Sequence, residues 1–370
     1  LTVQRLDRRA LLSAGGAALL AALTPRATEA LQRTEAVFGT AYLTDQGAYG
    51  AAILAEDGSV VTRVALPARG HDVVFSPAAP NRAVVFARRP GTFAVAFATD
   101  GSIEPTLFST PPDRHFYGHG AFSPDGKLLF ATENDYDDGR GVIGLYDATD
   151  GFRRVGEFPS HGTGPHDLLI MPDGKRLAIA NGGLETHPDY GRAKLNVATM
   201  QPSLAIIDAR DGALLERHAL AAELSKVSLR HMARDDSGGL FVAGQFEGNP
   251  ALRVPLIARW SETAGLSALP LPEAATARLN GYIGSIAVNR ASGRLAVSSP
   301  KGGVALHFPI DDPSRVTVVE QREVCGLAAS GDGFAATAMD GTMRLPARAT
   351  RTNPLRWDNH LSRTPAGPRS

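Results

Sequence analysis

His119-Gly120-Ala121-Phe122-Ser123-Pro124-Asp125-Gly126 runs into Leu128-Leu129-Phe130-Ala131-Thr132, then Val142-Ile143-Gly144-Leu145-Tyr146-Asp147, then Thr149-Asp150-Gly151. Short apolar and β-branched segments punctuated by Asp-Gly pairs read as strands joined by tight turns, since one residue of such a turn needs φ > 0. The same unit precedes this stretch. His71-Asp72-Val73-Val74-Phe75-Ser76-Pro77 leads to Arg82 to Ala87, Thr92 to Phe97 and Thr99-Asp100-Gly101. It also follows, as His166-Asp167-Leu168-Leu169-Ile170-Met171-Pro172-Asp173-Gly174, Leu177 to Ala180, Leu204 to Asp208 and Arg210-Asp211-Gly212. Weaker copies start near Arg230-His231, Gly284-Ser285 and Cys325-Gly326. Four strands per unit, at a period of roughly 40–50 residues, is the signature of a β-propeller.

The expected fold is therefore all-β. Six units have a recognisable start. Val37 to Leu66 holds three more strands without one, and Leu355 to Leu361 offers the missing innermost strand. A seven-bladed propeller follows, a single closed ring in which N- and C-terminal strands share one blade. Sealing the ring this way removes free sheet edges. Six blades with a loose tail is the alternative arrangement.

Composition narrows the function. Lys+Arg and Asp+Glu number 38 each in 370 residues, so the formal net charge is zero. That argues against a nucleic-acid partner, which calls for a basic excess. Cys325 is the one cysteine, which excludes an intrachain disulfide, CxxCH haem attachment and Cys-rich zinc or iron–sulfur sites. The chain also lacks a G-x-S-x-G elbow, an HExxH pair and a phosphate-binding Gly-Lys loop.

Residues 1–30 read as an address. Arg8-Arg9 precedes an apolar stretch from Ala10 to Leu23, and Ala27-Thr28-Glu29-Ala30 offers a small-residue exit. The stretch falls short of the ~20 residues that span a bilayer. The expectation is a twin-arginine signal peptide over 1–30, a propeller over 31–370, periplasmic localisation and no transmembrane anchor after cleavage.

The first strand of each propeller blade lines the central channel. His71, His119, His166 and His231 all fall at or near such strands, and His360 lies on the proposed closing strand. They are candidates for one ring at one mouth of the channel. Imidazole suits iron, copper or zinc, and Asp72 and Asp167 could add oxygen ligands. The cofactor expected on this reading is a transition metal, iron or copper. Spacing from the turn proline differs among the histidines, however, and a one-residue shift turns a side chain to the opposite face. The competing reading makes the histidines spacers that hydrogen-bond neighbouring blades. Glu133, Asn134, Asp135 and Tyr136 in one connection, and His187 in the next, are candidates for a loop-face binding site, since functional loops gather on one rim of a scaffold.

Several of these pieces together resemble a known family. They are Arg8-Arg9, His71 to Pro77, Tyr117-Gly118-His119-Gly120, Thr132-Glu133-Asn134-Asp135, Gly164-Pro165-His166-Asp167 and Trp357-Asp358-Asn359-His360. The chain resembles the uncharacterised twin-arginine-exported bacterial propellers associated with imelysin-like periplasmic iron-uptake proteins. The resemblance implies a periplasmic role in handling iron or another metal, with iron-uptake proteins as partners, and supplies no catalytic residues. The function expected is a non-catalytic propeller that binds a metal or a metal-uptake partner. The Pro-Asp-Gly-Lys turns at Pro124 and Pro172 leave a lactonase-like hydrolase as one alternative. A pure protein-interaction scaffold is the other.

Overall fold

The computed structural model describes residues 37–191 and 193–365; the paired-arginine segment lies outside the described residues. The strands gather into seven antiparallel sheets. Strands β1 (Phe38–Thr44), β2 (Tyr49–Leu54) and β3 (Val60–Leu66) open the chain. Six four-stranded sheets follow, each counted outward from its first strand. They begin with β4 (Gly70–Phe75), β8 (Arg114–Phe122), β12 (Pro165–Ile170), β16 (Val227–Arg234), β20 (Ser285–Asn289) and β24 (Val324–Ser330). Each first strand touches the first strand of the next sheet, and β1 touches β4, so the sheets form a closed ring. The six starts read from the sequence are these six strands. Among the described residues, helix is confined to α1 (Glu273–Arg278) and two single 3-10 turns, and no helix is long and apolar enough to cross a membrane.

Burial within a blade explains why its strands read differently. Second and third strands are covered by the neighbouring blades on both faces, so β5 (Arg82–Ala87) and β6 (Phe93–Ala98) are near-continuous apolar runs. The outermost strand alternates. In β11 (Arg153–Pro159) exposed and half-buried positions succeed one another throughout. The core lies between blades: Val84 and Phe86 of one pack with Phe116, Phe122 and Tyr146 of the next. In the Pro-Asp-Gly-Lys turns, Asp125 and Asp173 accept bonds from the amides of Lys127 and Lys175, and Gly126 and Gly174 hold φ of 69° and 67°.

Both ends of the chain build the seventh blade. β28 (Leu355–Trp357) pairs with β1 through Tyr42↔Trp357, Leu43↔Arg356 and Thr44↔Leu355. β29 (Ser362–Arg363) pairs with it through Phe38↔Arg363 and Gly39↔Ser362. Trp357 is 1% exposed, and its indole donates to the Gly341 carbonyl at 3.1 Å on the adjacent blade. It packs with Phe38, Tyr42, Leu54, Met343 and Leu361.

Trp357→Ala should therefore lower stability by about 3–5 kcal/mol, the range for emptying a buried aromatic site. Deleting residues 355–370 should lower it further by freeing the edge of β1. Both are read from urea unfolding midpoints, and a truncated chain as stable as the full one would overturn the sealed ring.

Candidate metal centre

The innermost strands are irregular at one level, and the histidines sit in the irregularities. Between Gly70↔Ala87 and Val73↔Val85, His71-Asp72 face the single residue Phe86. Between Phe116↔Glu133 and Gly120↔Ala131, Tyr117-Gly118-His119 face only Thr132. His166 falls between the paired residues Pro165 and Asp167, and Arg230 falls likewise just before His231. In the seventh blade the innermost strand breaks between β28 and β29, and His360 lies in the break, its carbonyl accepting from Thr40 Oγ1 at 2.7 Å. A bulge inserts a residue and re-aims the side chains around it. The differing distances to the turn prolines are absorbed by bulges of different size, and all five histidines converge.

Their rings form one buried cluster. Centroid separations are 4.5 Å for His71–His360, 4.9 Å for His71–His119, 5.0 Å for His119–His166, 4.6 Å for His166–His231 and 4.7 Å for His231–His360. No ring is more than 9% exposed, so the expected wet mouth is instead an enclosed site. Two triads, His71/His119/His360 and His119/His166/His231, each place one nitrogen per residue within 4.8 Å of the others. His71 Nε2 and His360 Nε2 stand 3.2 Å apart. Ligands on one ion with metal–nitrogen bonds of about 2.0–2.1 Å lie roughly 3–4 Å apart, so the cluster is close to a coordination sphere. His71 Nδ1, His119 Nε2, His166 Nδ1 and His231 Nδ1 are buried without hydrogen-bond partners.

Asp72 and Asp167 stand behind the cluster. Asp72 Oδ2 lies 3.2 Å from His119 Nδ1, and Oδ1 accepts from Ser362 Oγ at 2.6 Å and from the Val73 amide. Asp167 Oδ1 lies 3.7 Å from the same His119 nitrogen, and its oxygens accept from the amides of Leu168 and Met232 at 2.8 Å. Their oxygens are thus engaged, and the bond from Asp72 fixes His119 through its Nδ1. A carboxylate behind a ligating imidazole is the usual second layer of a metal site.

Protonation follows from this arrangement. Burial holds His71, His166 and His231 well below the ordinary histidine value, reinforced by the neighbouring rings and arginines, and holds His360 at about 3. Burial pulls His119 down too, but Asp167 and the bonded Asp72 outweigh it and raise its value. Burial pushes Asp167 up to about 6. It acts upward on Asp72 as well, where the bond and charge of His119 prevail and the value falls. Four imidazoles are therefore neutral, the form that ligates metal.

Cys325 is not presented as a thiolate. It is fully buried, its Sγ donates to the Glu323 carbonyl, and burial pushes its thiol up to about 12. The loop-face reading of Glu133, Asn134 and Asp135 is corrected: all three lie in strand β9 (Leu128–Asp135) and are buried. Glu133 accepts from Tyr146 at 2.6 Å and Arg154 at 2.9 Å, and Asn134 bonds His115 and the Thr186 carbonyl. Asp135 is within 3.3 Å of Arg114. Glu133 and Asp135 clamp their own blade, and Asn134 ties it to the next one through Thr186. Only Tyr136 and His187 reach the rim, where their rings meet edge to face at 5.0 Å.

A cavity of about 500 Å³ descends from His119, His231 and His360 past Phe75, Phe122 and Ile170 towards Pro77, Arg234 and Arg363. Pro77 lies between first and second strands, so the channel opens on the face opposite the long connections, contrary to the expected shared face. Gly118 was a signal available in the sequence. A glycine inside a strand marks a bulge or close approach; here φ is 108°, and a Cβ would stand 2.4 Å from His71 Cδ2.

Fold and site together define a seven-bladed β-propeller with a histidine cluster on its axis. The chain belongs to the family described as "Protein of unknown function (DUF1513)", which matches residues 64–364. No curated protein matches it. Among solved structures it is similar to the hydrazine synthase of Kuenenia stuttgartiensis, at 16% identity and a TM-score of 0.58 over 81% of this chain and 89% of that one. At that identity the likeness speaks for the fold alone.

Two outcomes are expected. Gly118→Ala should destabilise by about 1–3 kcal/mol, through both its backbone angle and the clash with His71; a neutral change in urea midpoint would contradict the packing. The second concerns acid. Four histidines with folded values below 6.5 contribute stability that is full above pH 6.5 and lost as pH falls. The raised His119 and Asp167 act in the opposite sense, Asp167 between about pH 4 and 6. At pH 5.5 the unfolded chain should bind about three more protons at these sites, a slope of about 4 kcal/mol per pH unit. Chelator-treated protein unfolded in urea at pH 7 and 5.5 checks this, and equal midpoints would show that the imidazoles are not buried neutral.

Proposed function

We propose that the protein binds one transition-metal ion, iron or copper, among the axial histidines and handles that metal without catalysing a reaction. The observation that carries this reading is the set of four buried imidazole nitrogens without partners. Spacer histidines clamping adjacent blades would spend those nitrogens on hydrogen bonds, and a single ring-to-ring contact, His71 to His360, has that geometry. His119 would be the central ligand, belonging to both triads and oriented by two carboxylates. An all-imidazole first layer suits copper, iron or zinc over calcium or magnesium. The channel leaves one side of the cluster reachable, as release to a partner requires. Partnership with periplasmic iron-uptake proteins, and export directed by residues 1–30, rest on the family resemblance and the Arg8-Arg9 segment.

Protein purified after native export should carry about one iron or copper per chain by mass spectrometry. His119→Gln, which keeps a polar atom in place, should drop that content to trace in a chain folded by circular dichroism, while Cys325→Ser leaves it unchanged. A metal-free wild type, or a folded His119→Gln with full metal, would overturn the proposal; zinc in place of iron or copper would correct the metal assigned.

A further inference from the structure

Arg230, the extra residue of the β16 bulge, lies beside the histidine cluster and its charge acts on both His166 and His231. Its side chain is 11% exposed, and its Nε is buried without a hydrogen-bond partner. The nearest acid, Glu247, stands off at 3.8 Å, and the other oxygen of that carboxylate is bonded to Lys194. Arg89 lies within electrostatic range and adds positive charge to the same place. Tyr117 belongs to the neighbourhood too. It is 4% exposed, feels both arginines, and its hydroxyl has one long contact of 3.5 Å, to Thr186 Oγ1. Tyr282 is also in range of Arg230, with Lys301 Nζ 4.8 Å from its ring centre. Glu185 and Glu247 are the acids that act on this group. Thr186 and Glu247 come from connections between second and third strands, so the group lies beneath the long loops, on the opposite side of the histidines from the open channel.

We propose that Arg230 binds a small carboxylate anion next to the histidine cluster. A buried guanidinium with an unused Nε–H presents two parallel donors that match the two oxygens of a carboxylate. The site stands on Arg230; its use, admitting the metal as a carboxylate complex, rests on the metal reading above.

The test is titration calorimetry of metal-stripped protein with oxalate, with inorganic phosphate as the tetrahedral comparator. Oxalate should bind at sub-millimolar concentration and more tightly than phosphate. Arg230→Gln should weaken oxalate at least tenfold, and Arg210→Gln, on a surface turn, should leave it unchanged. Should Arg230→Gln fail to fold, Arg230→Lys keeps the charge, loses the fork, and should still weaken oxalate in a folded chain. No oxalate binding by the wild type, equal binding by the Arg230 variants, or preference for phosphate would overturn the carboxylate site. Because the protein is metal-free, these results are independent of the metal content of His119→Gln, so the two readings can fail separately.

Discussion

The pairing of Phe38 to Thr44 with Leu355 to Arg363 holds the ring shut, and the axial site depends on it directly. A propeller left open would expose the edge of β1, an invitation to mispairing. Here the closing segment also delivers His360, which stands 3.2 Å from His71 across 289 residues of sequence. Ser362, two residues on, holds Asp72, which in turn holds His119. Arg69 and Asp358 add a charged bond of 2.5 Å between the first inner blade and the closing strand. Closure and site assembly are thus one event: the tail that seals the sheet supplies one imidazole and the hydroxyl that orients the carboxylate behind another.

Packing five imidazoles on an axis is unfavourable unless their nitrogens are used. Each buried polar group left without a partner costs roughly 1–3 kcal/mol. Asp72 and Asp167 face Nδ1 of His119 and leave its Nε2 among the four nitrogens without partners. A ligand bound among the rings, as proposed, would give those nitrogens the partners they lack.

The architecture was legible because it depends on pattern: Asp-Gly turns, short apolar strands and the repeat starts at His71, His119 and His166 all survive translation into blades. That the histidines meet was legible for the same reason, since equivalent positions of successive blades must face one axis. What counting from the turn proline could not supply was register. Three residues of β8 facing one of β9 move His119 relative to His71 in a way that no spacing rule encodes, and Gly118 was the local sign of it. Glu133, Asn134 and Asp135 look like an acidic loop by composition. Arg114 and Arg154, distant in sequence, neutralise two of them and so permit a strand there. In the sequence Arg230 stands only as part of a weak blade start, and it is the bulge in β16 that sets it beside His231.

The cluster is also asymmetric, and the asymmetry bears on what it can do. Five consecutive blades, from the closing one to that of β16, contribute a histidine each. The other two offer Ser285 and Cys325 at the corresponding level, both small, and Cys325 is turned to its own backbone with its thiol protonated. An ion held among the rings would therefore be enclosed on one arc and meet small side chains on the other, where Ser285, Ile286 and Leu327 line the cavity. A histidine from every blade would fill the axis and leave an ion no open side. Five from adjacent blades leave a gap, and the gap faces a channel wide enough for a small molecule. Catalytic metal sites keep a coordination position open, whereas purely structural ones close it. Were a metal bound there as proposed, this distribution would leave such a position open on the channel side.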